Sequence, residues 1–218
     1  MGNSEYLDAT IARCPVVLLI DTSCYMPKKI MSLLFSGTKS FSMHLKDEEA
    51  FGAKVEPAII TFGGEVQMVQ DFICSDSLSM PAFEAAGTPC LGASLGLGLK
   101  LIENRTKFYE RHDIEYDKPW LFMISSGKTN EAEYLQDAVL KAQEADIAGS
   151  LSYHIVGVPG AEMGLLRDIA SPFNPPMQMK EFCFDNLFRW LTSSIQRVRD
   201  VKTGAGYLPS HLSASLKL

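Results

Sequence analysis

The chain has no long apolar run, no C-x-x-C pair and no surplus of positive charge, and each absence removes a class of protein. No window approaches the roughly 18 consecutive apolar residues that a membrane-spanning helix needs. The five cysteines, at 14, 24, 74, 90 and 183, are odd in number and dispersed. Such thiols fit a reducing compartment better than a disulfide framework. His44, His112, His154 and His211 show no metal-ligand spacing. With 20 Lys+Arg against 26 Asp+Glu the formal charge is −6, and no basic stripe exists to neutralise phosphates. That argues against nucleic acid as a partner. The start, Met1-Gly2-Asn3-Ser4-Glu5, carries neither the basic nor the apolar stretch of a secretory leader. Internal repeats and low-complexity tracts are missing too. These absences together predict a cytoplasmic protein.

What is present is material for one large domain. Of 218 residues, 46% are hydrophobic and 21% charged, enough for a sizeable core. Strand-like and helix-like patterns alternate from residue 15 to residue 200. Cys14 to Asp21 is a near-continuous apolar run, the mark of a strand buried on both faces. Pro27 suits the first turn of the following helix, whose inner face is Ile30, Leu34, Thr38, Phe41 and Leu45. Val55–Phe62 and Glu65–Phe72 flank Gly63-Gly64 and read as a hairpin with a two-residue turn. A loop over 74–87, with a short turn near Met80 to Phe83, leads to Thr88 as N-cap and Pro89 as first residue of a helix over 90–112.

Trp120–Ser125 is a second buried strand. Asn130 caps the next helix, with Glu133 in the capping-box position and Ala132, Leu135, Val139 and Ala142 inward. Leu151–Val158 is a strand, Ala161–Ala170 a short helix, and Met179–Phe184 a weak strand. A last helix, Leu187 to about Asp200, turns Leu187, Leu191, Ile195 and Val198 inward. The organisation is therefore an N-terminal extension over 1–12, a domain over 13–200 and a tail over 201–218. The alternation predicts an α/β doubly wound fold: a mostly parallel six-stranded sheet, one antiparallel edge strand, and helices on both faces. Ligands of such sheets gather at the carboxyl ends of the strands, at the topological switch point. Asp21, Thr88 and Ser126 each follow a strand end or open a helix, so three distant segments converge on one rim.

The segments Pro15-Val16-Val17-Leu18-Leu19-Ile20-Asp21-Thr22-Ser23, Ile59-Ile60-Thr61-Phe62, Gly87-Thr88-Pro89-Cys90-Leu91-Gly92-Ala93-Ser94-Leu95, Pro119-Trp120-Leu121-Phe122-Met123 and Leu187-Phe188-Arg189-Trp190-Leu191-Thr192-Ser193-Ser194-Ile195 resemble those of a von Willebrand factor type A domain. The likeness covers about residues 13–199 and is to the TerY-like bacterial branch associated with tellurite resistance. It implies a metal-ion-dependent adhesion site, in which Asp-x-Ser-x-Ser, a threonine and an aspartate surround a divalent cation. Asp21, Ser23 and Thr88 match that set. Tyr25 stands in place of the second serine, and Ser125-Ser126-Gly127 replaces Thr-Asp-Gly, so Ser126 takes the position of the aspartate.

Both changes weaken metal binding. A phenol oxygen lies several ångströms farther from its backbone than a serine hydroxyl, and losing the aspartate removes a full negative charge. Mg²⁺ gives up water reluctantly and demands near-octahedral geometry. The expectation is a vestigial site, Asp21, Ser23 and Thr88, with no cofactor and at most weak Mg²⁺. The function expected is non-catalytic protein recognition through Tyr25, Met26, Pro27, Pro89, Ser126 and Lys128, with Lys128 read as a solvated loop lysine or, as the sharper alternative, a fixed cation near the metal position. The resemblance further implies a stress-response setting with kinase-like or phosphatase-like partners. Two alternatives stand beside this: a working Mg²⁺-dependent adhesion module, and a serine hydrolase built on Ser94 of Gly92-Ala93-Ser94-Leu95-Gly96. That motif needs a sharp strand-to-helix turn, whereas this segment reads as helix interior. Gly127-Lys128-Thr129 resembles the end of a P-loop, but Phe122 stands where its first glycine belongs.

Overall fold

The computed structural model describes residues 11–26, 28–47, 53–74, 78, 84–129 and 132–202. The chain runs β1 (Ala12–Asp21), α1 (Lys28–Asp47), β2 (Ala53–Phe62), β3 (Val66–Gln70), α2 (Leu91–Arg111), β4 (Trp120–Ser125), α3 (Ala132–Ile147), β5 (Ser152–Gly157), α4 (Met163–Ile169), β6 (Met177–Gln178) and α5 (Phe184–Lys202). One six-stranded sheet has the order β3-β2-β1-β4-β5-β6. Every pairing is parallel except β2 with β3. The predicted doubly wound architecture is the one observed.

The alternation of β1 decides how both faces are filled. Val16, Leu18 and Ile20 join Phe122 and Ile124 beneath α1 and α5, through Ile30, Leu34, Phe41, Leu187, Phe188 and Leu191. Val17 and Leu19 join Leu121 and Met123 beneath α2 and α3, through Leu91, Leu95, Leu135 and Val139. Two cores share one central strand, so β1 has no polar face. Gly37 brings α1 against α5: a Cβ there would sit 2.4 Å from that of Phe184, and the Phe41 and Phe188 rings lie 5.1 Å apart beside it.

Strand order reverses between β1 and β4. The crevice over their carboxyl ends is therefore the switch point, and Asp21 and Ser125 end those two strands.

Several boundaries differ from the sequence reading. The hairpin turn has three residues, because Phe62 pairs with Val66. Its tip is shaped by a neighbour: the Gly64 N–H donates to the Ala86 carbonyl at 2.7 Å. α2 starts at Leu91 with Cys90 at its N-cap and no side-chain cap bond, so Thr88 and Pro89 belong to the preceding loop. That loop is held back by the Cys24 N–H, which donates to the Gly87 carbonyl at 2.8 Å. α4 is shorter than predicted, and β6 is Met177–Gln178, ahead of the strand predicted over Met179–Phe184, whose last residue opens α5. That last helix runs through Lys202, so the predicted start at Leu187 is three residues late. Pro27, Asn130, the turn near Met80 to Phe83, and residues 1–10 and 203–218 lie outside the described residues. Among those described, no helix is long and apolar enough to cross a membrane.

Candidate functional site

At the end of β1 the Asp21 carboxylate is wholly buried and is held from two loops. Its Oδ1 accepts the Ser23 N–H at 2.9 Å. Its Oδ2 accepts the Ser126 N–H at 2.9 Å, the Ser126 hydroxyl at 2.6 Å and the Ser125 hydroxyl at 3.3 Å. A carboxylate offers about four lone-pair positions, and four donors point at this one. The Ser125 hydroxyl also accepts the Gly127 N–H at 3.0 Å, closing the β4 loop on itself. Ser23 Oγ is buried beside this cluster and has no hydrogen-bond partner. Ser125 and Ser126 thus tie the β4 loop directly to Asp21, where an aspartate at position 126 would set two anions face to face.

Outside this buried knot lies a cavity of about 510 Å³ walled by Tyr25, Thr88, Pro89, Gly127, Lys128, Thr129, Glu162 and Leu165. Tyr25 is 46% exposed. The Lys128 ammonium sits 4.5 Å above the Tyr25 ring centre and 3.4 Å from the Glu162 carboxylate. Each contact contributes at most about 1 kcal/mol at such an exposed position. Their combined effect is to fix Lys128 between an aromatic face and an anion. Gly127 (φ +71) turns the chain tightly there, and any Cβ on it would meet the Glu162 backbone at 2.6 Å.

The structure therefore brings Asp21, Ser23 and Ser126 together in the interior, and Tyr25, Thr88, Pro89 and Lys128 around the cavity. Met26 requires correction as a contact residue: it is 1% exposed and packs in the core under α1. Ser126 is also buried, its hydroxyl given to Asp21, so it is no surface for a partner. Pro89 is buried yet forms cavity wall. Pro27 lies outside the described residues. Lys128 is neither a free loop lysine nor unpartnered, because Glu162 and Tyr25 already engage it. Glu162 and Leu165 were missed. They follow β5, and every loop after a parallel strand reaches this same pole, which is the signal that would have found them.

Ser94 lies in the first turn of α2, wholly buried, and its hydroxyl donates to the Leu91 carbonyl at 2.8 Å. No strand-to-helix elbow presents it, so the motif's geometry is absent. At the opposite pole, Glu56 of β2 is buried between Arg13, 3.3 Å away, and Arg105, whose Nε donates at 3.0 Å. The Tyr109 hydroxyl also donates to Glu56. Burial and the neighbouring carboxylate push the Tyr109 phenol far above its ordinary range. The network ties the foot of β1 to α2 and β2, and only a lone glutamate inside an apolar strand hints at it in the sequence. On the α5 side of the sheet His154 stacks on Trp120 with centroids 5.0 Å apart. Desolvation holds its imidazole down at about 4.

The fold is the one seen in solved von Willebrand factor type A domains. The vWF domain of the type V pili tip protein Mfa5 from Porphyromonas gingivalis superposes with a TM-score of 0.62 at 12% identity, over 86% of this chain and 97% of that one. The pilus adhesin SpaC from Lactobacillus rhamnosus GG gives 0.66 at 12% identity, over 86% of this chain and 31% of that one. Proximal thread matrix protein 1 from the mussel byssus gives 0.56 at 14% identity, over 83% of this chain. The chain spans only 47% of the length of that mussel protein. At such identities the likeness is one of fold. No family model and no curated protein matches the sequence.

Proposed function

We propose that the chain is a non-catalytic protein-recognition module that binds its partner through the Tyr25–Lys128–Glu162 cavity and keeps no resident metal. The observation that carries this reading is the engagement of the buried Asp21 carboxylate, whose Oδ2 accepts three donors and whose Oδ1 accepts one. A dication needs anionic oxygens free to coordinate it, and this one is already used to tie two loops together. A carboxylate so engaged is a poor ligand for Mg²⁺, which supports the metal-free reading. An exposed aromatic with a fixed charge beside it, on the rim of a preformed cavity, is a suitable anchor for a protein partner. Neighbours that include a pilus adhesin and a pilus tip protein support an interaction role.

The finer reading places the chain in the TerY-like branch, in a cytoplasmic stress-response setting with kinase-like or phosphatase-like partners. Capture from native lysate with wild type, Tyr25→Ala and Lys128→Ala tests the surface. Both variants should lose a protein that wild type retains, and equal retention by all three refutes recognition through this cavity. A second reading, Mg²⁺-dependent adhesion, is favoured by one atom, the buried and unpartnered Ser23 Oγ. Calorimetric titration with Mg²⁺ and Mn²⁺ separates the two. Submillimolar binding would establish the metal-dependent version.

A further inference from the structure

We infer that the β3 edge of the sheet, with the acidic cavity beside it, takes an extended basic peptide segment of a partner as an added strand. The surface lies apart from the Tyr25 cavity and does not depend on the reading above. β3 ends the sheet, so alternate backbone N–H and C=O groups of Val66–Gln70 face outward. Edge strands are ordinarily blunted by lysine, proline, inward charge or a bulge. Val66-Gln67-Met68-Val69-Gln70 carries no lysine, proline or charge, and its register shifts only past Met68, leaving Val66–Met68 as the regular stretch. Gln67 is exposed and Met68 is 46% exposed. Among the described residues no strand pairs with this outer edge, which suits pairing with another chain.

The chemistry of that chain follows from the adjoining cavity. About 560 Å³ in volume, it is lined by Thr22, Thr61, Gly63, Gly64, Glu65, Gln67, Val69, Glu84 and Ala86. Gln67 and Val69 share one face of β3, so a strand laid along β3 sends alternate side chains toward this cavity. Its charged groups are Glu65 and Glu84, and among the described residues no ion pair reaches either. The hydroxyls of Thr22 and Thr61 add acceptors. An arginine or lysine side chain is the complement.

The walls are already in place, which limits the ordering cost of binding. The Thr22 N–H donates to the Phe62 carbonyl at 3.0 Å, the Ala86 N–H to the Thr22 carbonyl at 2.8 Å, and the Gly64 N–H to the Ala86 carbonyl at 2.7 Å. Gly87 (φ +64) seals the junction, since a Cβ there would meet Gly64 Cα at 2.2 Å.

The test uses the full chain and a capped, β-prone synthetic peptide of sequence Thr-Val-Arg-Val-Thr-Val. Binding is followed through ¹⁵N amide shifts at low salt. Saturable shifts at residues 66–70 and 84–86 are expected. The double charge reversal Glu65→Lys with Glu84→Lys, at two exposed positions that leave folding intact, should weaken binding by about fivefold or more. A peptide N-methylated at alternate amides should not bind, because it cannot complete the ladder. Absence of binding by the parent peptide, binding kept after N-methylation, indifference to charge reversal, or shifts centred on Tyr25 and Lys128 would each overturn the inference. So would a peptide-free dimer in sedimentation that the peptide dissociates, which would assign the edge to a second copy of this chain.

Discussion

Replacing Asp21 with Asn tests whether the switch-point carboxylate is a structural knot or a reserved metal ligand. The variant keeps size and shape but exchanges one acceptor for an NH₂ group. Turned so that its oxygen still meets Ser126, it points its NH₂ at the Ser23 N–H and leaves that donor unpaired in a fully buried place. The remaining bonds, from the Ser125 and Ser126 side chains and the Ser126 N–H, lose their charge assistance. At roughly 1 kcal/mol for each weakened bond and about 1–3 kcal/mol for the orphaned donor, the loss is about 4–6 kcal/mol. That is a large part of the roughly 5–15 kcal/mol available to a domain. Urea unfolding followed by circular dichroism, in EDTA and again in excess Mg²⁺, should show the same loss in both. A variant as stable as wild type in EDTA would refute the reasoning, as would a loss that appears only with Mg²⁺. The companion change Ser126→Asp replaces a 2.6 Å hydrogen bond with two facing carboxylates. It should destabilise in EDTA and recover with Mg²⁺.

Three further outcomes follow from buried groups. The Tyr153 hydroxyl is buried without a partner, so Tyr153→Phe should leave stability unchanged or raise it by about 1 kcal/mol, read as a shift in urea midpoint at constant slope. His154 stays neutral in the fold, with a pKa lowered from 6.5 to about 4, while the unfolded chain takes up its proton below about 6.5. Its stabilising contribution is therefore complete above about pH 6.5 and lost as pH falls to about 4. The part-exposed ring edge discounts the amount to about 2 kcal/mol, and His154→Phe should flatten that window of the stability–pH curve by this difference. Gly37→Ala should cost about 1–3 kcal/mol through the clash with Phe184. Gly96→Ala, which meets nothing within 4 Å, should instead gain about 1 kcal/mol in helix propensity. Equal thermal midpoints for those two variants would contradict the packing described.

The central strands and most helices were legible because their periodicity is clean. Cys14 to Asp21 and Trp120 to Ser125 are short apolar runs of strand length, rich in Val, Ile, Leu and Phe, and Ile30, Leu34, Phe41 and Leu45 mark a helical stripe. The convergence of Asp21 with Ser126 was legible for the same topological reason. What local pattern could not supply were facts set by neighbours. Met26 looked like an exposed anchor beside Tyr25, but the turn after Ser23, where the Met26 N–H donates to the Ser23 carbonyl, folds it into the core. Thr88 looked like an N-cap until the bond from Cys24 to Gly87 held its loop back from α2. The pairing of Lys128 with Glu162 joins residues that no spacing rule connects.

Glu56, Arg13 and Arg105 give the molecule a polarity of use. Parallel strands rise away from that buried ion network toward the Tyr25 rim, and α5 descends again after β6. The strand run therefore begins at Ala12 and the last helix ends at Lys202 on the same side, opposite the Tyr25 cavity. A tether, tag or neighbouring domain joined at either point leaves the opposite pole facing outward. Coupling through Cys24, exposed on the rim, should accordingly mask the Tyr25 cavity.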